Sequence, residues 1–287
     1  GALQYENTVL SAVADPSDER QEQFYNMIKE ESWYREYKRF SDYKQMVQSG
    51  EVDAVAIALP NSMHAESSIW CMKHGVHVLC EKPPTNDAFE MEAVAKAAEE
   101  TGMTYMFARQ QRFNPGIREA HCLVEEGKLG RVYHAESRWI RTKMIPFREG
   151  WGVNKDTGGG VLLDLGVHKL DDAWFAMGCP EPLSVAAISR CSFGHLAPED
   201  LSMPYNADDC TVALVRFAGG ASLTMTVSFA LNISVRQDRM REKGFPEWST
   251  LRLYGDRLGL DVANGLAVNN GQEDFIQGPY EPREEFT

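Results

Sequence analysis

Asp164 and His168 stand four residues apart in a segment with helical apolar spacing, so both side chains project from one face. A carboxylate beside an imidazole fixes its tautomer and supports its charged form, as a general acid or base requires. The run Gly158-Gly159-Gly160 just before them lets another backbone or a ligand approach closely. The same spacing also fits a structural histidine with its carboxylate, or a chelating pair. No third or fourth ligand stands at recognisable spacing, and Cys71, His74 and His77 straddle a helix end and a strand. No metal is therefore expected.

A second reactive group is Lys82. Val76 to Cys80 is apolar and β-branched at alternate places, which predicts a short buried parallel strand. Glu81, Lys82, Pro83 and Pro84 follow it directly. Ligands of open α/β sheets bind outside the carboxyl ends of the strands, where this lysine falls, and Pro83 biases it toward an extended backbone. The bland alternative is a pair of solvated loop charges.

Asp15 is the third. It follows the apolar strand Val9 to Ala14, and a carboxylate at such a tip accepts hydrogen bonds from adenosine ribose hydroxyls in a dinucleotide fold. At the same place it could simply cap the next helix. No Gly-x-Gly-x-x-Gly precedes it. The opening Gly1-Ala2-Leu3-Gln4-Tyr5 reads as the end of the helix after such a loop. A first strand and glycine turn, ~20–30 residues in a βαβ unit, are expected ahead of residue 1.

The elements that must position these groups fall into two styles. Up to about residue 114, apolar strands (9–14, 52–59, 76–80, 103–108) alternate with helices (18–30, 41–48, 62–73, 87–100) across short connections. That predicts a doubly wound parallel sheet. After a helix at 116–126 come longer alternating segments, at 132–140, 185–193, 211–217, 221–231 and 251–254, with one helix at 160–177. Ala221, Leu223, Met225, Val227, Phe229 and Leu231 share one face, opposite Ser222, Thr224, Thr226 and Ser228. Such alternation marks a sheet whose two faces differ. The boundary is placed between residues 114 and 115, giving domains over 1–114 and 115–287.

Composition narrows the class. The chain has 287 residues, room for two cores. Its net charge of −13 is spread along its length, which disfavours nucleic acid. No apolar run approaches the ~20 residues that span a bilayer, so no membrane partner is expected. Six scattered cysteines without a Cys-x-x-Cys pair fit reduced thiols in the cytoplasm. Asn232-Ile233-Ser234 is a glycosylation sequon without an accompanying secretion signal.

Taken in order, five stretches resemble the Gfo/Idh/MocA oxidoreductases: Leu59-Pro60-Asn61 with His64; Gly75 to Pro83; Arg112-Phe113-x-Pro115; Gly158-Gly159-Gly160; and Asp164-x-Gly166-x-His168. The likeness covers nearly the whole chain. It implies a Rossmann-type, dinucleotide-binding domain over 1–114, followed by a substrate-binding and oligomerisation α/β domain on an open, mostly antiparallel sheet over 115–287. It also implies NAD, or NADP, and a sugar, glycoside or cyclitol whose secondary alcohol is oxidised. Lys82, Asp164 and His168 become the catalytic set, with the base open between Lys82 and His168. Pro60, Asn61, His64 and Glu81 fall beside the cofactor with Asp15 and Lys82; Arg112, Arg141 and Trp151 fall on the substrate side. The family is often dimeric or tetrameric through that sheet. Its closing helical segment is missing after the last strands, where the chain runs Pro282-Arg283-Glu284-Glu285-Phe286-Thr287. Two alternatives share the fold: a non-catalytic dinucleotide-binding sensor, and redox-assisted glycoside cleavage. A pure sensor has no use for Lys82, Asp164 and His168 together.

Overall fold

A computed structural model describes residues 8–142, 145–231, 247–262, 264–269 and 272–275. The opening five residues, the sequon at 232–234 and the closing 282–287 lie outside them. Internal contacts divide the chain into two units, Gly1–Leu59 with Met63–Ala108 and Pro60–Ser62 with Arg109–Thr287.

The first unit is parallel α/β. β1 (Ala12–Ala14) pairs in parallel with β2 (Lys38–Phe40), and β3 (Ala54–Ile57), β4 (His77–Cys80) and β5 (Tyr105–Phe107) form a second parallel sheet. The connecting helices are α1 (Asp18–Ile28), α2 (Tyr43–Gln48), α3 (His64–Lys73) and α4 (Ala88–Thr101). Their ends follow from sequence. Ser17, Asp42 and Asp87 each accept a hydrogen bond from an orphan amide of the first turn. Glu90 reaches back to the Asn86 N–H at 2.9 Å, and Gly102 closes α4 at φ 67°. Val55, Ile57, Val78 and Cys80 point into a core with Met72 and Val94, whereas Ala54, Ala56 and Leu79 are exposed. Sequence predicts strands covered on both faces; among the described residues one face of β3 and β4 is open. β2 carries Lys38-Arg39-Phe40 and has no apolar run to announce it.

In the second unit, α5 (Pro115–Glu125) starts from Asn114, whose side chain accepts from the Gly116 amide. The described strands form one eight-stranded sheet in the order β13-β12-β11-β10-β6-β9-β8-β7. They are β6 (Val132–Arg141), β7 (Pro182–Arg190), β8 (Cys210–Phe217), β9 (Ser222–Ser228), β10 (Glu247–Gly255), β11 (Gly259–Asp261), β12 (Leu266–Asn269) and β13 (Gln272–Phe275). Only the β6–β9 pairing is parallel. α5 and α6 (Val167–Ala176) cover one face, where Ile117, Ala120, Ala173 and Ala176 pack on Leu223, Leu251 and Leu253. The alternation of β9 sets this: Leu223, Met225 and Val227 are buried, and Ser222, Thr224 and Thr226 face the other side.

The helix expected over 160–177 is a composite. Leu162–Gly166 is a π-turn, closed by the Val167 N–H on the Leu162 carbonyl, and it runs straight into α6. One residue more per turn is accommodated there, a feature that periodicity cannot show and that recurs at functional sites.

Candidate active site

In the first unit, Lys82 lies just past β4, partly exposed, and its amide donates to Glu81 Oε2 at 3.1 Å. The ladder continues one residue beyond the strand through Glu81 N to Ile57 O at 2.8 Å, which fixes where the lysine emerges. The Lys82–Pro83 peptide is cis. His64 is fully buried, with Nδ1 2.7 Å from the Pro83 carbonyl and Nε2 2.8 Å from the Leu59 carbonyl. A neutral ring donates only one of those two bonds; a doubly protonated ring donates both. Either way, His64 links the residue before Pro60 to the residue after Lys82.

Asp15 ends β1, its amide paired with Phe40 O at 3.1 Å. Its Oδ1 accepts from Ser17 N at 2.8 Å, and the cap of α1 is Ser17 rather than Asp15. Gln21 braces the turn by donating to the carbonyls of Asp15 and Phe40.

In the second unit, Asn61 donates to the Gly158 carbonyl at 2.8 Å, and Pro60 beside it is exposed. Close approach is what the glycine run makes possible. A Cβ on Gly159 would lie 2.6 Å from the Trp151 carbonyl oxygen. Thr157 Oγ1 donates to that oxygen as well, at 2.9 Å, so Trp151 is held through its backbone.

Asp164 sits inside the π-turn and His168 two residues beyond it, both mostly buried. An Arg141 guanidinium nitrogen is 3.7 Å from Asp164 Oδ2. Arg141 also lies over the Trp139 ring at 5.4 Å, Lys169 over it at 5.8 Å, and the His168 ring stands 5.9 Å from it. Trp139 is thus bordered by an acid/base candidate and two cations, an arrangement favoured by the negative face of an indole. Lys169 in turn forms a 2.7 Å ion pair with Asp172, which is completely buried; burial pushes its carboxyl up from the usual range, against the pull of Lys169.

Arg112 makes a two-pronged bond to Asp171, 2.7 and 2.6 Å, and stacks over Phe175 at 4.7 Å. The bond to Asp171 raises the guanidinium further above its ordinary value, against a smaller effect of burial. Asn61, Arg141, Trp151, Asp164 and His168 belong to the second unit, and Asp15, His64, Glu81 and Lys82 to the first. Arg112 sits on the Asp171 side of α6. Trp139, Lys169, Asp171 and Asp172 were not singled out in the sequence. Asp171 and Asp172 had a signal, one helical turn after His168; Trp139 had none apart from alternation along β6.

The architecture is thus a parallel α/β unit followed by a unit on an open, mostly antiparallel sheet that carries an Asp-x-x-x-His helix. Residues 2–109 match the family model described as "Oxidoreductase family, NAD-binding Rossmann fold", and residues 117–256 match the GFO/IDH/MocA C-terminal domain. The chain belongs to the Gfo/Idh/MocA oxidoreductase family.

Among its relatives, D-glucoside 3-dehydrogenase of Escherichia coli (strain K12) is 32% identical over 244 residues, 81% of this chain and 66% of that protein. A scyllo-inositol 2-dehydrogenase (NADP⁺) of Bacillus subtilis (strain 168) is 31% identical over 183 residues, 63% of this chain and 54% of that one. The chain thus spans between about half and two thirds of these relatives' length. A solved levoglucosan dehydrogenase in complex with NADH superposes with a TM-score of 0.76 at 20% identity, covering 95% of this chain and 71% of its own. An aldose–aldose oxidoreductase from Caulobacter crescentus gives 0.75 at 22%, covering 98% and 79%. These two likenesses concern the fold.

Proposed function

We propose that this chain is the core of an NAD(P)-dependent dehydrogenase that oxidises a secondary alcohol of a sugar, glycoside or cyclitol. The observation that carries it is the mostly buried Asp164/His168 pair on a π-turned helix, with Arg141 3.7 Å from the carboxylate. A purely structural histidine would not need such a setting. Names among the relatives point to the same substrate class, D-glucoside and scyllo-inositol.

The first unit offers donors and acceptors that fit a dinucleotide. Asp15 has one oxygen on Ser17 N and a partly exposed position at a strand tip, suited to a ribose diol. Pro60, Asn61, His64 and Glu81 are assigned to the cofactor side by their motifs. The nicotinamide, when bound, takes up the hydride that leaves the alcohol carbon. His168 removes the hydroxyl proton, oriented by Asp164. Lys82 is assigned, by its motif, a hydrogen bond to the same oxygen that stabilises its developing negative charge; the two residues can exchange the role of base. Arg141, Trp151 and Arg112 are assigned to the substrate side, Arg112 by holding α6 through Asp171.

NAD is the preferred cofactor on this reading. Asp15, holding the ribose diol, would stand against the 2′-phosphate of NADP, and like charges ~4 Å apart repel by roughly 1 kcal/mol in water and about 4 at a protein-surface dielectric. The working assembly is a homodimer or homotetramer through the uncovered sheet face. There Ile188 pairs with Val212 and Ala186 with Leu214, and Ile188, Val212 and Leu214 are 63%, 50% and 44% exposed. A cytoplasmic location agrees with six unpaired cysteines, and no described helix is long and apolar enough to cross a membrane.

A panel of glycosides and cyclitols, run with the full-length protein and with NAD and NADP separately, tests this. Nicotinamide reduction by at least one member is expected. Tight dinucleotide binding with no reduction by any member would favour a sensor. Cleaved glycoside without net reduction would favour redox-assisted cleavage.

A further inference from the structure

We propose that Asp208 is the positioning residue that sets the first turn of the Asp164–His168 helix, and through it the placement of both side chains. This rests on the acid/base reading of His168.

The first amides of a helix have no partner within it. Here two of them go to one residue more than forty positions away. Val161 N donates to the Asp208 carbonyl at 2.8 Å, and Leu162 N donates to Asp208 Oδ2 at 2.9 Å. Thr211 Oγ1 donates to the same oxygen at 3.0 Å, and Thr211 is itself hydrogen-bonded to Ser189 on β7 at 2.8 Å. The carboxylate is therefore tied to two strands of the sheet. Its other oxygen, Oδ1, fills the space where a side chain on Gly160 would begin, and Gly160 has φ 114°. That glycine is required by the carboxylate beside it as much as by its backbone.

The loop bearing Asp208 is fixed on both sides. Asn206 N and Ala207 N donate to the Val153 carbonyl, and Asn206 Oδ1 accepts from Lys155 N. Asp209 is fully buried; its Oδ2 accepts from Ser192 N and Phe193 N at 2.6 and 2.7 Å, and its carbonyl from Phe229 N. Asp208 is thus a rigid bracket between the sheet and the helix.

Leu162 is where the bracket acts. Its amide is held by Asp208, and its carbonyl accepts the Val167 amide that closes the π-turn. Gly166 leaves room for the Leu162 side chain, since a Cβ there would stand 2.8 Å from Leu162 Cδ1. Asp164 lies within this turn and His168 just past it. Releasing Leu162 frees the helix to return to ordinary i→i+4 bonding. That drops the extra residue and rotates Asp164 relative to His168.

The test uses the full-length protein, with methyl β-D-glucoside and NAD for turnover and the protein alone for amide exchange. Asp208→Ala should lower kcat by ~10- to 100-fold, the scale of a misplaced catalytic group, with dinucleotide affinity unchanged. Exchange at Val161 and Leu162 should rise while β8 and β9 stay protected. Asp208→Asn, an equally good cap, should restore both. Asp208→Glu keeps the charge but moves it by one methylene; it should lose turnover like the alanine variant, and it stands in if Asp208→Ala does not fold. In a His168→Ala background Asp208→Ala should cost nothing further.

Wild-type exchange at Leu162 in Asp208→Ala overturns the capping bond, whatever the substrate is. An unimpaired Asp208→Ala beside an impaired His168→Ala overturns this inference alone. An unimpaired His168→Ala overturns the acid/base reading on which it rests. Equal losses from Asp208→Ala with and without His168 would make Asp208 a general structural residue.

Discussion

The two units hold their reactive groups by different means. In the first, Lys82 and Asp15 emerge where strands end, and the bonds that fix them are backbone ladders such as Glu81 N to Ile57 O and Asp15 N to Phe40 O. In the second, Asp164 and His168 ride on a helix with a π-turn, held by side chains from distant parts of the chain: Arg141 on β6 and Asp208 before β8. Strand-end groups inherit their position from the sheet and tolerate change nearby. Helix-borne groups depend on particular partners, so the second unit should be the more easily disabled by single substitutions.

The largest effect is expected at His168. His168→Ala should reduce kcat by ~10²–10⁴-fold and leave NAD binding intact, as judged by initial rates and by fluorescence titration of the dinucleotide. Lys82→Met, which removes the charge while keeping most of the volume, makes the same comparison in the first unit. Wild-type turnover in His168→Ala would mean that the helix is structural and the contrast between the units is false.

Next comes the buried pair behind the helix. Lys169→Met leaves Asp172 uncompensated and should destabilise the folded chain by ~3–5 kcal/mol in urea denaturation, whereas Lys169→Met with Asp172→Leu should recover most of it. Burial raises the Asp172 carboxyl in the folded chain above its unfolded value near 3.8. The folded state therefore binds that proton first. The resulting stabilisation is full below the unfolded value and is lost as pH rises through the raised one. Asp172→Asn should flatten that part of the stability profile. A single variant as stable as wild type would show that the pair carries no structural weight.

Smaller effects belong to the first unit. Asp15→Ser should narrow the preference for NAD over NADP by about tenfold, ~1.4 kcal/mol, in a ratio of kcat/KM values. Asp87→Ala removes the cap of α4, five residues after Lys82, and should cost ~1 kcal/mol of stability without altering kcat. An Asp87→Ala variant that lost turnover would show that the first unit is not as tolerant as its ladders imply.

This contrast also governs what can be read from the chain alone. Lys82, Asp15 and the Asp-x-x-x-His spacing are local signals: a strand, a turn and a helical repeat suffice to see them. So was the alternating face of β9. The π-turn is invisible to a 3.6-residue pattern, because the apolar positions Val161 and Leu165 fit an ordinary helix equally well. β2 escaped because Lys38-Arg39-Phe40 earns its place by parallel pairing with β1 rather than by burial. Asp208 and Arg141 act on Leu162 and Asp164 across some forty and twenty residues, and no spacing rule reaches that far. The Arg112–Asp171 fork has the same character: each residue was in plain view, but their pairing depends on how α6 packs.

The central claim is that the Asp164–His168 helix serves oxidation of a sugar-type alcohol. The most direct test is to follow nicotinamide absorbance and product together, for the full-length protein with NAD and a panel that includes methyl β-D-glucoside, levoglucosan and scyllo-inositol. The account predicts that at least one member yields a keto product in one-to-one amount with reduced nicotinamide, and that His168→Ala suppresses both. Saturable NAD binding with no reduction by any member, or reduction that is indifferent to His168→Ala, would contradict it.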